Sequence, residues 1–209
     1  MFRLFFVALF IFSVSLLAQK APFSIEALYK IKNVSDPQIS PDGRMVAFTV
    51  TSYIMHKGQN NSEIYIMDIK GGHLRRMTDN PAADYQPRWS ADGQNLLFVS
   101  TRKEGPQAWL MPVNGGEPRQ LTCFNSGVSD ARWAGSSKRI IFKSRVFPEC
   151  GADNDCNQEI LEDMKNGPLQ AHMADRLLFR HWTFYKDGRR AHLILFDPET
   201  KTYKDLTPG

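Results

Sequence analysis

Asp153, Asp155 and Asn157 alternate along one short stretch, as the oxygen ligands of a calcium loop do. The rest of such a loop is missing. Gln158 stands where the loop needs glycine for its sharp turn, and Met164 stands where it needs a bidentate glutamate. The stretch reads as an exposed turn, so no metal is expected. The five histidines, His56, His73, His172, His181 and His192, lack metal-ligand spacing. Nucleophilic catalysis of the hydrolase type needs a G-x-S-x-G elbow, and none occurs. Neither a phosphate loop nor a dinucleotide fingerprint is present. The expectation is a chain with no catalytic residue and no cofactor of its own.

The elements that would position any site come from an internal repeat. Ile39-Ser40-Pro41-Asp42-Gly43 recurs as Trp89-Ser90-Ala91-Asp92-Gly93 and as Trp133-Ala134-Gly135-Ser136-Ser137. Val46, Leu96 and Ile140 follow at one common spacing, and Phe48, Phe98 and Phe142 two residues later. Apolar residues at a spacing of two mark one face of a strand. Ser-Pro-Asp-Gly is a turn, in which Pro presets φ, Asp bonds the backbone ahead and Gly takes a positive φ. A third strand follows at Ile64–Met67 and Ala108–Met111, then a glycine pair, then a polar fourth strand ending at Thr78 or Thr122. Leu193–Phe196 and Asp205–Thr207 repeat the pattern, with a Pro198-Glu199-Thr200 turn replacing the glycine pair.

Four short strands at a period of about 40–50 residues describe a β-propeller blade. The fold expected is all-β, a partial β-propeller of about three four-stranded blades. The blades fall at 34–80, 81–124 and 125–209, and the third carries a helical insertion at 145–190. One blade cannot bury both of its faces, so Phe48, Phe98 and Phe142 should pack between neighbours. Inside the insertion, Gln158–Met164 reads as a helix, Leu177–Tyr185 as a strand and Lys186–Arg189 as a hairpin turn. Ahead of the blades, 19–33 is a leader, where Ser24 caps a short helix whose apolar side should dock on the propeller.

Arg3 followed by the apolar run to Leu17 resembles a signal peptide over residues 1–18; the run is short of the about 20 residues a membrane span needs. An uncleaved anchor is the alternative and the only membrane attachment expected; the domain is read as periplasmic or secreted. Export makes Cys150 and Cys156 a disulfide candidate, with two free thiols as the alternative, and leaves Cys123 over. The chain has 209 residues, a net charge of +4 and 42% hydrophobic residues, which suits a globular protein. Its basic residues are dispersed, and Arg75-Arg76 and Arg189-Arg190 are the only adjacent arginines. A nucleic-acid groove needs a basic stripe with aromatic platforms, so that partner is not expected.

Phe23-Ser24-Ile25-Glu26-Ala27-Leu28, the run from Val34 to Gly43, Asp175–Trp182 and Asp187–Leu193 together resemble the propeller of the prolyl oligopeptidase family of serine peptidases. The likeness is greatest to its dipeptidyl-peptidase-five and acylaminoacyl-peptidase-like branch. The Ser-Pro-Asp-Gly repeat is shared with TolB-type propellers, while the Arg180-His181-Trp182 segment is more discriminating. The resemblance implies the front part of a peptidase, with an α/β-hydrolase domain as C-terminal partner and peptides as substrates. In such enzymes the propeller gates the active site, and in some its side chains hold the peptide's amino end. By that analogy Glu159, Glu162, Asp163 and Arg180 are candidate substrate contacts, against the plainer reading as exposed helix charges and a strand-edge arginine. The alternative function is a stand-alone TolB-like module that binds proteins without catalysis.

Overall fold

The computed structural model describes residues 23–135, 137–168, 180–182 and 184–209. Three antiparallel four-stranded sheets follow one another along the chain. The first holds β1 (Asn33–Ile39), β2 (Met45–Ile54), β3 (Gln59–Asp68) and β4 (Arg75–Arg76). The second holds β5 (Asp84–Trp89), β6 (Asn95–Ser100), β7 (Gln107–Pro112) and β8 (Arg119–Gln120). In the third, β9 (Ser129–Trp133) and β10 (Ile140–Val146) are completed by β13 (Arg190–Asp197) and β14 (Thr202–Asp205). β1 packs beside β5 and β5 beside β9, so the first strand of each sheet is the inner one. The sheets are propeller blades, and among the described residues they do not close into a ring.

The Ser-Pro-Asp-Gly turn works through its side chains. Ser40 Oγ donates to Asp42 Oδ1 (2.6 Å) and accepts from the Met45 N–H (2.9 Å). Asp42 Oδ1 also accepts from the Arg44 N–H, while Gly43 takes φ 72°. Ser90, Asp92, Gln94, Asn95 and Gly93 repeat the arrangement in blade two. These bonds, Ser40 and Ser90 first, hold the Asp42 and Asp92 carboxyls below their ordinary range. The closing threonines recur for a similar reason. Thr78, Thr122 and Thr207 accept from the backbone N–H of Ile64, Ala108 and Leu193, tying each outer strand to the third strand of its blade.

Alternate residues of each second strand face opposite neighbours. Leu96 and Phe98 join Ala47, Ile64, Ile66, Trp109 and Met111 between blades one and two. Leu97 and Val99 join Ala108, Phe124, Val128, Ile140, Phe142 and Ile194 between blades two and three. Phe98 and Phe142 are fully buried between blades, while Phe48, 8% exposed, lies in neither inter-blade cluster and stacks on Tyr65 of its own blade at 6.1 Å.

The insertion departs in detail from its sequence pattern. β10 and β13 pair directly, ending at Val146 against Arg190, and the chain between them leaves the sheet. The helix, α2, runs Asn154–Asn166, a full turn earlier than the apolar periodicity suggests, because Asp153 caps it by accepting from the Asp155 and Cys156 N–H groups. Leu177–Tyr185 is not one strand. Its described part folds back as β11 (Arg180–His181) against β12 (Phe184–Tyr185), with Trp182 at φ 53° between them. Lys186–Arg189 is therefore a turn leading into β13 and not the loop of a hairpin. Asp187 organises it, accepting from Arg189 and from Arg145 of β10. Burial pushes the Asp187 carboxyl up, but the Arg189 bonds and the two positive charges outweigh it and hold it below its ordinary range.

The leader helix, α1 (Ile25–Tyr29), is capped by Ser24. Its apolar side does not dock as a whole: Ile25 and Leu28 are exposed, and Tyr29 alone stacks on a sheet residue, Tyr53, at 4.6 Å. Five residues offer too little apolar face to cover a sheet. Residues 1–18, expected from sequence to be a signal peptide, lie outside the described residues.

Candidate binding site at the propeller axis

Each inner strand carries the same irregularity. Asp36, Gln86 and Asp130 all take positive φ, 52°, 58° and 50°, three residues before Ile39, Trp89 and Trp133. The strand registers shift there, at Ser35/Gln38, Tyr85/Arg88 and Ile141/Lys143. Non-glycine residues in this region are uncommon, Asp and Asn being the best tolerated, and such strain concentrates at functional sites. Such bulges spoil the free edge of each inner strand.

Arg88 links all three blades through these bulges. Its Nη1 lies 2.6 Å from Asp36 Oδ2 and its Nη2 3.6 Å from Asp130 Oδ1. Gln38 Nε2 donates to the second Asp36 oxygen, and Arg132 binds Asp130 at 3.0 Å. Gln86 Oε1 accepts from the Asp130 N–H. Two carboxylates and two guanidiniums thus balance around the axis, and the Arg88 side chain is only 11% exposed. The indoles behind them repeat one cross-blade bond: Trp89 Nε1 donates to the Gln38 carbonyl (2.9 Å) and Trp133 Nε1 to the Arg88 carbonyl (3.3 Å).

Between blades one and two this network borders an open cleft of 460 Å³, lined by Ser35, Asp36, Thr49, Thr51, Ser62, Tyr85, Gln86 and Arg88. Thr51 Oγ1 and Ser62 Oγ bond each other at 2.8 Å. The Tyr85 ring packs against the apolar cluster between blades two and three, where burial pushes its hydroxyl up. The arrangement can hold or exclude a ligand by hydrogen bonding. It offers no nucleophile paired with a base.

Of the residues singled out from sequence, Glu159, Glu162 and Asp163 are exposed on α2, and none of the three lines this cleft. Glu162 accepts from Gln158 at 2.5 Å. The Arg180 backbone is in β11; its side chain lies outside the described ones. Cys150 and Cys156 are joined as a disulfide with Cα atoms 5.6 Å apart, and Cys123 is exposed beside the end of β8. Asp153 is committed to capping α2, and Asn157 is fully buried, accepting from the Phe147 N–H and donating to the Gly151 and Asp153 carbonyls. Among the described residues no cluster of three His, Cys, Asp or Glu side chains could hold a metal ion.

One acid–base pair that the sequence concealed is His192 Nδ1 with Asp205 Oδ2, at 2.6 Å. Ser144 faces His192 across the ladder, but donates to the Gly127 carbonyl at 2.6 Å. His192 and Ser144 are 3% and 4% exposed, so the group joins β13 to β14 inside the sheet and presents no reactive face. Of Asp36, Arg88 and Asp130, only the aspartates were legible in principle, since Asp36 and Asp130 stand at one offset, three before Ile39 and Trp133; Arg88 stands one before Trp89, where blade one has Gln38. A reading focused on the turn and the apolar strand passes over them.

The TolB beta propeller domain family matches residues 24–161. The chain belongs to that family. The "uncharacterized peptidase YuxL" of Bacillus subtilis is 38% identical over 74 residues, 35% of this chain and 10% of its own length. Dipeptidyl-peptidase 5 of Porphyromonas gingivalis is 27% identical over 75 residues, 36% of this chain and 11% of its own. The crystal structure of Pyrococcus horikoshii acylaminoacyl peptidase superposes with a TM-score of 0.62 at 15% identity, covering 86% of this chain and 25% of that one. At that identity the superposition speaks for the fold alone. The matches span about a tenth of the curated relatives' length. The TolB-type propeller thus has peptidase relatives, as the resemblance to the propeller part of the prolyl oligopeptidase family requires.

Proposed function

We propose that this propeller is the substrate-gating portion of an exported serine peptidase, acting on peptides together with an α/β-hydrolase domain. The observation that carries the reading is the charged girdle of Asp36, Arg88 and Asp130 on the inner strands. Such a lining filters what passes along the axis while doing no bond chemistry itself. In this reading the exposed Glu159, Glu162 and Asp163 of α2, with Arg180, are the insertion's contacts for an approaching peptide. The peptidase relatives support the assignment.

The test is peptide hydrolysis by the full-length protein, with its downstream coding sequence, on chromogenic dipeptides and on longer peptides. Turnover should be abolished by a serine-directed inhibitor. Arg88→Ala should raise kcat/KM for long peptides relative to dipeptides, because it opens the girdle. A downstream sequence without G-x-S-x-G, or turnover indifferent to that inhibitor, would sink the reading. The second reading, a protein-binding module without catalysis, is favoured by Val34 and Ile39, which are 62% and 63% exposed on β1. Capture of a defined partner lost on Ile39→Asp, with no turnover, would select it.

A further inference from the structure

We propose that the open cleft between the outer strands of blades two and three binds a carboxylate carried on an apolar body, the chemistry of a peptide's free C-terminal residue. The cleft measures 520 Å³, within the range of about 300–1,000 Å³ usual for small-molecule sites. Arg119 of β8 and Lys201 of the β13–β14 turn line it from two different blades, and no acidic residue among the described ones does. Both cations are exposed, so a ligand can reach them. Among the described residues neither side chain has an ion-pair or hydrogen-bond partner. The acids nearest to Lys201 are engaged elsewhere: Glu199 pairs with Lys138 at 3.5 Å, and Asp197 accepts from the Glu199 N–H at 3.0 Å. Two positive charges thus share one cleft with no carboxylate of the protein to match them, and an anion supplies the charge-assisted bonds they lack.

The repeat shows that neither cation is there by default. Arg75 holds the place of Arg119 in blade one, and it donates to the Val113 carbonyl across the first junction at 3.3 Å. Pro198 holds the place of Val113 in blade three, and Arg119 makes no such bond. Lys201 takes φ 56° in the turn that blades one and two build from the pairs Gly71-Gly72 and Gly115-Gly116. A lysine is a strained choice where glycine is at ease, and it brings the second cation to the cleft. The rest of the lining sets what carries the charge. Half-buried Leu121, Pro198 and Tyr203 give the cleft an apolar side. No helix N-terminus or glycine loop, the usual cradles of phosphate, lines it. An arginine fork beside a lysine ammonium suits the two oxygens of a carboxylate. The assignment does not depend on peptidase gating.

Cys123 makes the site readable, because it is a free, exposed thiol lining the same cleft, where Gln120 Nε2 donates to its sulfur at 3.4 Å. The test follows alkylation of Cys123 by iodoacetamide in the full chain, read by peptide mass spectrometry. The probes are N-acetylphenylalanine, N-acetylphenylalanine amide, phenyl phosphate and inorganic phosphate. N-acetylphenylalanine should protect Cys123 saturably, and the amide should need about tenfold more to do so. Arg119→Gln should raise the half-protecting concentration about tenfold and leave the thermal midpoint unchanged, since Arg119 has no partner to lose. Lys201→Gly should weaken protection to a similar degree, with a midpoint unchanged or higher, because glycine accepts the positive φ. Equal protection by acid and amide, protection undiminished in either variant, or better protection by either phosphate would each overturn the proposal.

Discussion

The two junctions between blades are built from one repeat, yet they are closed by different means. Between blades two and three the apolar core continues to the inner strands, through Val99, Val128 and Ala131. Between blades one and two it stops at Ala47 and Ile64. Beyond that point the equivalent positions are polar. Thr49 stands for Val99, and Asp84 for Val128, where Asp84 is fully buried and bound by Arg102 at 2.6 Å. Arg102 in turn lies over the Phe98 and Trp109 rings, 5.8 and 5.4 Å from their centroids. The second junction is closed by apolar packing, the first partly by a buried ion pair beside an open polar cleft. A repeat specifies the shape of the interface, and the substitutions within it decide what the interface is for.

The largest test of that contrast is removal of the core rings. Phe98→Ala and Phe142→Ala should each cost about 3–5 kcal/mol in denaturant unfolding, since both rings are fully buried. A loss near that of a surface change at either position would show that its junction is not packed as described. Breaking the girdle should come next. Arg88→Ala should cost about 1.5–3 kcal/mol by leaving Asp36 and Asp130 short of a partner. Restoration by Arg88→Lys to within a few tenths of a kcal/mol would argue that charge alone matters, against the two-armed geometry.

The exchange experiment reads the comparison most directly. Val99→Thr should destabilise by about 1–3 kcal/mol, because it buries a hydroxyl in an apolar core. Thr49→Val should be neutral or stabilising by up to about 1 kcal/mol. Equal effects at the two sites would erase the distinction between the junctions. Smaller still is Trp89→Phe, which deletes one cross-blade bond and should cost about 1 kcal/mol; Trp133→Phe, whose bond is longer at 3.3 Å, should cost less.

The smallest effect is on pH. Asp42 and Asp92 have folded-state values below their unfolded ones, so their contribution is present above the ordinary carboxylate range and is lost as pH falls through the folded value. Asp42→Asn and Asp92→Asn should each flatten the acid side of the stability–pH curve slightly. Blade three has Ala134-Gly135 in this turn and no aspartate, so it should contribute nothing there. Unchanged acid sensitivity in the double variant would place the acid-labile groups elsewhere.

Much of this was legible because a repeat compares the chain with itself. The turn, the buried phenylalanines and the closing threonines recur since each blade must solve one backbone problem in one way. The insertion was less legible. Its helix begins at a capping aspartate within a polar run, and its strand reverses at Trp182, where a positive φ leaves no mark in apolar periodicity. The leader misled for a related reason: Ile25 and Leu28 share a helical spacing, but spacing does not say whether a surface waits opposite.

Local rules acting along the chain were enough to determine the strands, their turns and which side of each strand is apolar. They follow from alternation, from Pro, Asp and Gly in tight turns, and from hydroxyls that satisfy nearby backbone groups. The meeting of Asp36, Arg88 and Asp130 at the axis was decided only in the tertiary structure. Those residues lie on three different blades, and their registers along the inner strands depend on bulges that local pattern does not encode. So was the pairing of His192 with Asp205 and the orphaning of Thr49, because partnership and burial belong to the space between sheets and not to the sequence of any one of them.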